Sequence, residues 1–538
     1  MTFTVTVFDR EKLLFTPATP NSDAIPVIFA FPNTYSVGIT SLGYQIVWAT
    51  LAMRSDLLVS RLFTDIGETL PRNPELLGFS FSWELDYVNI FSLLESLNIP
   101  IRSDRRTDRD PLIFGGGPVL TANPEPFAEF FDLILLGDGE ELLDNFIDAY
   151  QEVRKSDRQT KLKHLANVPG IYAPSLYEVT YLARDGAIKS IAPKDNNIPD
   201  RVVKQTYRGN TLSQSTVVTE KAAWENIYMV EVVRSCPEMC RFCLASYLTL
   251  PFRTASLEDG LIPAIERGLQ VTDRLGLLGA SVTQHPEFNN LLDYLNRPEY
   301  DNIRLSLASV RTNTVTEKLA KILTNRDSRS ITIAVESGSE KVRQIVNKKL
   351  ANEEIIQAAI NAKAGGLKGI KFYGMVGIPG ETTEDLEQTI IMLKKVKQAV
   401  PGLRLTFGCS TFVPKSHTPF QWFGVNQAAK KRLKYLEKEL GKLKIDFRPE
   451  SYNWSVIQAL ISRGDRRLSH LLELTRTYGD SVGSYKRAFK ELKGQLPPLD
   501  YYVHGDWETT KILPWSHLQG PIPEQTLIKH LDEAKSFF

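Results

Sequence analysis

Cysteine is nearly absent: four in 538 residues, too sparse for a disulfide framework. Long apolar runs are missing too. None approaches the roughly 18 residues of a membrane-spanning helix, and Met1-Thr-Phe-Thr-Val5 has neither a basic segment nor an apolar segment with a cleavage site. The expectation is a cytoplasmic protein without a membrane segment. Charge of one sign is also lacking. Lys+Arg 64 against Asp+Glu 63 leaves a net charge of +1, so composition gives no nucleic-acid signal. Internal repeats and low-complexity segments do not occur. What is present suits folded domains: 42% hydrophobic and 24% charged residues, in a chain long enough for about two to four of them.

Over the first third, short apolar runs alternate with helical patterns. The runs 26–31, 76–81, 111–114 and 132–136 read as buried strands, and 41–53, 84–97 and 140–153 as helices. Such alternation indicates a parallel sheet covered on both faces. Its strand-end loops are Pro32-Asn-Thr-Tyr35, Gly115-Gly-Gly-Pro118 and Gly137-Asp-Gly-Glu140, where open parallel sheets hold ligands. Asp185-Gly186 between two alternating runs marks a hairpin, and 204–220 reads as a polar linker. Six strand–helix units follow, with strands at 227–233, 275–278, 303–308, 330–335, 369–375 and 403–412. Six units suit a partial barrel whose active site lies at the C-terminal strand ends. After 427 the chain is Lys-rich, and Leu433, Leu436, Leu440 and Leu443 form one stripe, so the lysines make a solvated face.

Three of the four cysteines stand together, in Cys236-Pro-Glu-Met-Cys240-Arg-Phe-Cys243, directly after the first barrel strand. Three thiolates on one short loop can hold three irons of a [4Fe–4S] cube and leave the fourth open. Zinc is the alternative, with Cys409 or a histidine as fourth ligand. Structural zinc sites usually pair one Cys-x2-Cys with another, and no second pair exists. Cys409, on the sixth strand, reads as a small buried residue. His285 and His417 lie on loops near strand ends, where structural roles outweigh proton transfer.

The Cys-x3-Cys-x2-Cys spacing, with the aromatic Phe242 before the last cysteine, resembles the signature of the radical S-adenosylmethionine (SAM) superfamily, and further motifs arrive in order. Gly279-Ala-Ser281 resembles the segment that receives the SAM amino group. The family's glutamate is missing there, which leaves Gly279 and Ala280 to act through main-chain carbonyls. Ser309 and Arg311 after the third strand, and Glu336 and Ser337 after the fourth, resemble ribose and carboxylate contacts. Gly377-Ile-Pro-Gly-Glu381 resembles the stretch along the adenine, with Gly377, Ile378 and Glu381 as its contacts. The resemblance implies a [4Fe–4S] cluster whose open iron is chelated by SAM. It also implies reductive cleavage of SAM to methionine and a 5′-deoxyadenosyl radical, with reduced flavodoxin or ferredoxin as electron donor.

Residues 1–165 resemble the cobalamin-binding domain that precedes the barrel in one branch of that superfamily. The matching segments are Phe31-Pro-Asn-Thr-Tyr-Ser-Val-Gly38, Gly115-Gly-Gly-Pro118 and Leu136-Gly-Asp-Gly-Glu140, with the later Phe412-Val-Pro-Lys-Ser-His-Thr-Pro-Phe-Gln-Trp422. On this resemblance Asn33, Thr34, Tyr35, Gly115, Gly116, Gly117, Gly137, Gly139 and Glu140 are the cobalamin contacts. The first loop departs from the branch's Asp-x-His-x-x-Gly pattern. It has no histidine to ligate cobalt, and His164, the domain's only one, lies at its far end.

The expected architecture is α/β. It comprises a Rossmann-like cobalamin-binding-type domain at 1–165, a β-hairpin and linker at 166–221, a radical SAM partial (βα)6 TIM-like barrel at 222–425 and a mainly helical region at 426–538. The expected activity is SAM cleavage with cobalamin-dependent methyl transfer to an unidentified substrate. Cobalamin-independent oxidation, cyclisation or rearrangement is the first alternative, and a non-catalytic metal-stabilised scaffold the second. No spare cysteines exist for an auxiliary cluster, which argues against methylthiotransferases.

Overall fold

The computed structural model describes residues 6–308 and 310–538; Ser309, one of the expected SAM contacts, lies outside the described residues. In the N-terminal sheet the parallel strands run in the spatial order Leu57–Leu62, Ile25–Ala30, Leu76–Ser80, Leu112–Gly116 and Leu133–Leu135, with Ile171–Tyr172 antiparallel at the edge. Counted along the chain, the parallel part has the order 2-1-3-4-5. In such sheets the ligand crevice opens where the strand order reverses. Helices Leu42–Ala52, Tyr87–Ser96 and Gly139–Val153 cover it.

The strand Leu57–Leu62 escapes the sequence reading because Ser60 and Arg61 break its apolar run. Arg61 is nonetheless buried, paired with Glu11 at 2.8 Å and Glu68 at 2.7 Å and laid over the Trp48 ring. The hairpin forms as expected, Tyr177–Tyr181 against Ile188–Pro193. The stretch 204–220 is not a free linker. Gln205 bridges Gly137, and Val217–Val218 pairs with Lys12–Leu13. Pairings two residues long leave no periodicity to read.

The barrel strands appear in two ladders among the described residues. Ile227–Glu231, Arg274–Leu278 and Arg304–Leu307 form one, and Ser330–Glu336, Gly369–Val376, Arg404–Thr411 and Asp446–Pro449 the other, joined by a single bridge from Val310 to Ile333. All six expected barrel strands are present, and one more follows them beyond 425. Helix Ala429–Lys442 and strand Asp446–Pro449 add a seventh unit, hidden in sequence because Asp-Phe-Arg-Pro is no apolar run.

Helices Tyr452–Arg463, Leu468–Thr477 and Val482–Glu491 then pack back onto the N-terminal domain rather than only closing the barrel. Leu460, Leu471 and Tyr485 share a hydrophobic cluster with Leu77, Phe91 and Phe127. Asn123 donates to the carbonyls of Ser462 and Gly464, and Arg466 pairs with the buried Glu125 at 3.1 Å. The final helix, Glu524–Lys535, reaches the cysteine loop: Arg241 pairs with Glu533 at 3.0 Å, and Tyr247 shares a 2.8 Å hydrogen bond with His530. No helix of the described chain is long and apolar enough to cross a membrane.

Candidate active site

The cysteine loop leaves the first barrel strand through Val233–Arg234 and returns through Arg253–Thr254, which pair antiparallel. Between them the backbone takes two left-handed turns, at Ser235 (φ 73°) and Met239 (φ 54°). Such residues persist where neighbours over-determine them. Ser235 Oγ donates to the Ala245 carbonyl at 2.8 Å. Asn347 Nδ2 donates to the carbonyls of Glu238 and Met239 at 3.2 and 2.9 Å. Arg241 donates to the Gln344 and Ile345 carbonyls, capping the helix Glu340–Ile345.

Cys240 is buried, and Cys236 and Cys243 are half-buried. Burial pushes the Cys240 thiol up to about 12. It raises Cys243 too, while the N–H groups of Ser246 and Ala245 at the following helix start pull that thiol back. Buried thiols of this kind ionise only when a cation stands beside them, and a coordinating metal inverts the balance. The donor set therefore fits a metal cluster. A cube takes one thiolate per iron, so three loop thiolates suffice for three of its irons.

Around the loop the expected SAM residues turn out to be partnered. Arg311 pairs with Glu238 inside the loop at 2.5 Å and donates to the Lys349 carbonyl. Gln284 also bonds Glu238 and Ser281. Glu336, in left-handed backbone at φ 63°, pairs with Lys348 at 3.2 Å. Burial works against the Lys348 ammonium, but Glu336 and Cys240 more than offset it and raise its pKa. Ser337 is buried beside Thr389. Gly279, at φ 149°, backs onto Val233, whose carbonyl a Cβ would meet at 2.6 Å; Ala280 follows it at the strand end. Ile378 is buried, and Glu381 Oε2 accepts from the Gly377 N–H at 2.7 Å while pairing with Arg432 at 2.6 Å. Burial pushes the Glu381 carboxyl up to about 7 against those two partners. Phe242 packs as a half-buried side chain against the larger hydrophobic cluster, which joins N-terminal, barrel and C-terminal residues. Asn347, Lys348 and Glu238 went unnoticed in sequence because their partners lie far away along the chain.

In the N-terminal domain a cavity of about 230 Å³ opens at the strand ends, lined in part by Phe29, Phe79, Phe114 and Gly116. Gly117, Gly137, Gly139 and Glu140 also line it; Asn33, Thr34, Tyr35 and Gly115 do not. Asn33 Nδ2 instead donates to Asp86, whose carboxyl burial pushes up to about 6. The Thr34 N–H is taken by Asn33 Oδ1, the buried Tyr35 hydroxyl donates to Glu11 at 2.6 Å, and a Cβ on Gly115 would strike Phe131. His164 pairs with Glu152 at 3.1 Å on the helix Arg158–Leu165.

The remaining candidates fall elsewhere. Cys409 is buried in the barrel's hydrophobic cluster, and burial raises its thiol. His285 bonds the Ala255 carbonyl at 2.7 Å and accepts from the Glu287 N–H, a structural arrangement. Burial pushes His417 down to about 4, and it lines a separate cavity with Gln421 and Trp515.

Comparison with known proteins places this geometry in a class. Residues 60–174 match the family model of radical SAM proteins, N-terminal, and residues 230–393 that of the radical SAM superfamily. The chain thus carries radical SAM domains over these two segments. Uncharacterized protein MJ0966 of Methanocaldococcus jannaschii is 29% identical over 464 residues, 86% of this chain and 94% of that one. Uncharacterized methyltransferase PH0819 of Pyrococcus horikoshii is 22% identical over 350 residues, 62% of this chain and 67% of that one. Among solved structures, the radical SAM methyltransferase TsrM of Kitasatospora setae, with cobalamin and [4Fe–4S] cluster bound, aligns with a TM-score of 0.50 and 14% identity over 74% of each chain. At that identity the likeness concerns the fold.

Proposed function

We propose that this radical SAM enzyme binds its [4Fe–4S] cluster on Cys236, Cys240 and Cys243 and, with cobalamin held at the N-terminal sheet, transfers a methyl group to its substrate. One observation carries the reading. The loop Gly137-Asp-Gly-Glu140 walls the N-terminal cavity and is bonded, through Glu140 at 2.7 Å, to Arg234, two residues before Cys236. A cavity in one domain thus adjoins the cysteine loop of the other.

The cavity is smaller than the roughly 300–1,000 Å³ of clefts that enclose drug-sized ligands, so in this structure it does not enclose a whole cobalamin. No histidine stands at its lining. When bound, the cluster delivers an electron to SAM and cobalamin supplies a methyl carrier. The chain's own residues position and shield. Three cysteines leave one iron for SAM. Glu381 fixes the shape of the 377–381 turn by holding the Gly377 N–H. Arg311 acts through Glu238 on the cysteine loop. Reduced flavodoxin or ferredoxin is the electron donor, in a reducing cytoplasm.

The test is anaerobic reconstitution with iron, sulfide and hydroxocobalamin, followed by dithionite and methyl-labelled SAM with cell extract. The reading expects about four irons per chain, a bound corrin spectrum and label transferred to an extract component. Iron and 5′-deoxyadenosine without corrin uptake would establish the cobalamin-free chemistry instead. A chain that takes up no iron would overturn both.

A further inference from the structure

The cysteine loop is closed at its base by a ribbon only two residues long on each side, and its register sets Arg234 opposite Arg253. Like charges directly opposite each other on paired strands destabilise the pairing. Both guanidiniums are largely out of solvent, 14% and 8% exposed, so water does little to screen them. A third cation, Lys204, lies near the same group; burial depresses its pKa, and the two arginines add to that while Asp138 and Glu140 oppose it.

The compensating carboxylates come mostly from the other domain. Glu231 pairs with Arg234 from the barrel's own strand at 2.7 Å. Asp138 takes Arg253 at 2.5 Å and Arg234 at 3.5 Å, and Glu140 takes Arg234 at 2.7 Å. The Tyr207 N–H donates to Asp138 at 3.0 Å, and Arg253 donates to the Tyr207 carbonyl at 2.6 Å, which fixes the carboxylate between them. Three cations thus stand among three carboxylates, with Lys204 paired to none of them and donating to the Gln205 carbonyl and Thr206 Oγ1. Removing either N-terminal carboxylate leaves a buried excess of positive charge at the base of the loop, next to the left-handed Ser235.

We propose that Asp138 and Glu140 are positioning residues for the cluster. They form an interdomain clasp that neutralises the Arg234–Arg253 ribbon and so holds the cysteine loop closed. Glu140, which also lines the N-terminal cavity, then acts through Arg234 on the loop. The inference concerns the loop alone and stands whether or not the cavity holds cobalamin.

The experiment compares the full chain, reconstituted with iron and sulfide, as wild type, Asp138→Asn, Glu140→Gln, Arg234→Gln and the double variants Asp138→Asn/Arg234→Gln and Glu140→Gln/Arg234→Gln. Hydrogen–deuterium exchange over 235–252 reports loop opening, and the half-time of iron loss to a chelator reports the cluster. Each carboxylate variant should open the loop about tenfold faster and lose iron correspondingly faster, with exchange in Leu76–Ser80 unchanged. Adding Arg234→Gln restores the charge balance and should recover most of the protection. Should Asp138→Asn fail to fold, the Glu140 pair carries the same comparison. Single variants that exchange like wild type, or doubles no better than their carboxylate singles, would reduce the clasp to ordinary interface contacts and overturn the proposal.

Discussion

Asn347 Nδ2 donates to the Met239 carbonyl at 2.9 Å, and both residues hold left-handed backbone, at φ 58° and 54°. The pair couples the turn after helix Glu340–Ile345 to the middle of the cysteine loop. Asparagine tolerates this conformation better than most residues because its short polar side chain bonds locally. Methionine has no such advantage, so the loop's strain is met from outside.

Asn347→Ala should strip two carbonyls of their donor and cost about 1–3 kcal/mol locally, seen as a lower reconstituted iron content. Asn347→Gly keeps the backbone conformation and loses only the amide. If the amide is what matters, iron content in the glycine variant falls nearly as far as in the alanine variant. Equal iron in Asn347→Gly and wild type would show that the left-handed turn alone suffices.

The thiols separate by position. Cys240→Ala removes one of the three loop thiols and should abolish both the cluster absorbance and 5′-deoxyadenosine release. Cys409, buried on the strand Arg404–Thr411 within the barrel's hydrophobic cluster, should be dispensable for iron. Cys409→Ala is expected to hold about four irons per chain, with a small loss of thermal stability. Iron loss in that variant would make Cys409 a fourth ligand.

Glu381 gives the fold a pH dependence with a definite sign. Its folded carboxyl titrates near 7, raised by burial from 4.5. The folded state therefore binds the proton more tightly than the unfolded one, and the stability from that proton is complete below 4.5 and lost as pH rises through 7. The whole window is worth on the order of 3 kcal/mol. Between pH 5 and 7.5, roughly the range set by that shift, the melting temperature of Glu381→Gln should fall less than that of wild type. Parallel curves for the two proteins would mean that Arg432 keeps Glu381 ionised throughout.

The elements that sequence made legible are those whose signal is local. The strand 369–375 extends by one residue to Gly369–Val376, and 330–335 to Ser330–Glu336, because continuous β-branched and aromatic runs specify buried parallel strands. The three cysteines were legible because their ligand chemistry is written in spacing. Relations across domains were not. Gly137 reads as a ligand-loop glycine, yet its φ of 114° serves a close approach in which Gln205 leaves no room for a side chain. Arg311 and Glu336 read as ligand contacts, and the partner each has in the fold, Glu238 and Lys348, is one that no spacing rule links to it.

Cobalt ligation can be read without a substrate. His164 is tied to Glu152 at 3.1 Å, away from the cavity lining, so it is in no position to serve as a lower ligand. Cob(II)alamin bound to the protein should give an electron-spin spectrum free of histidine nitrogen splitting, identical in His164→Ala. Splitting that vanishes in that variant would place His164 at the cobalt.

Two adjacent glycines separate the cavity from the fold that holds it. Gly116 lines the cavity, and a Cβ there would meet nothing closer than the Leu135 carbonyl at 3.6 Å, ordinary contact. Gly117, at φ 113°, has the Phe81 carbonyl where a Cβ would stand, at 2.5 Å. A side chain at 116 therefore has room, whereas one at 117 meets both a backbone clash and a left-handed conformation that L-residues rarely adopt. Gly116→Leu should leave the melting temperature close to wild type while blocking hydroxocobalamin uptake, followed by its corrin absorbance after gel filtration. Gly117→Ala should lower stability by about 1–3 kcal/mol, visible as a reduced melting temperature even in the iron-free chain. Undiminished corrin uptake by a folded Gly116→Leu would show that cobalamin, where it binds at all, does not use this cavity.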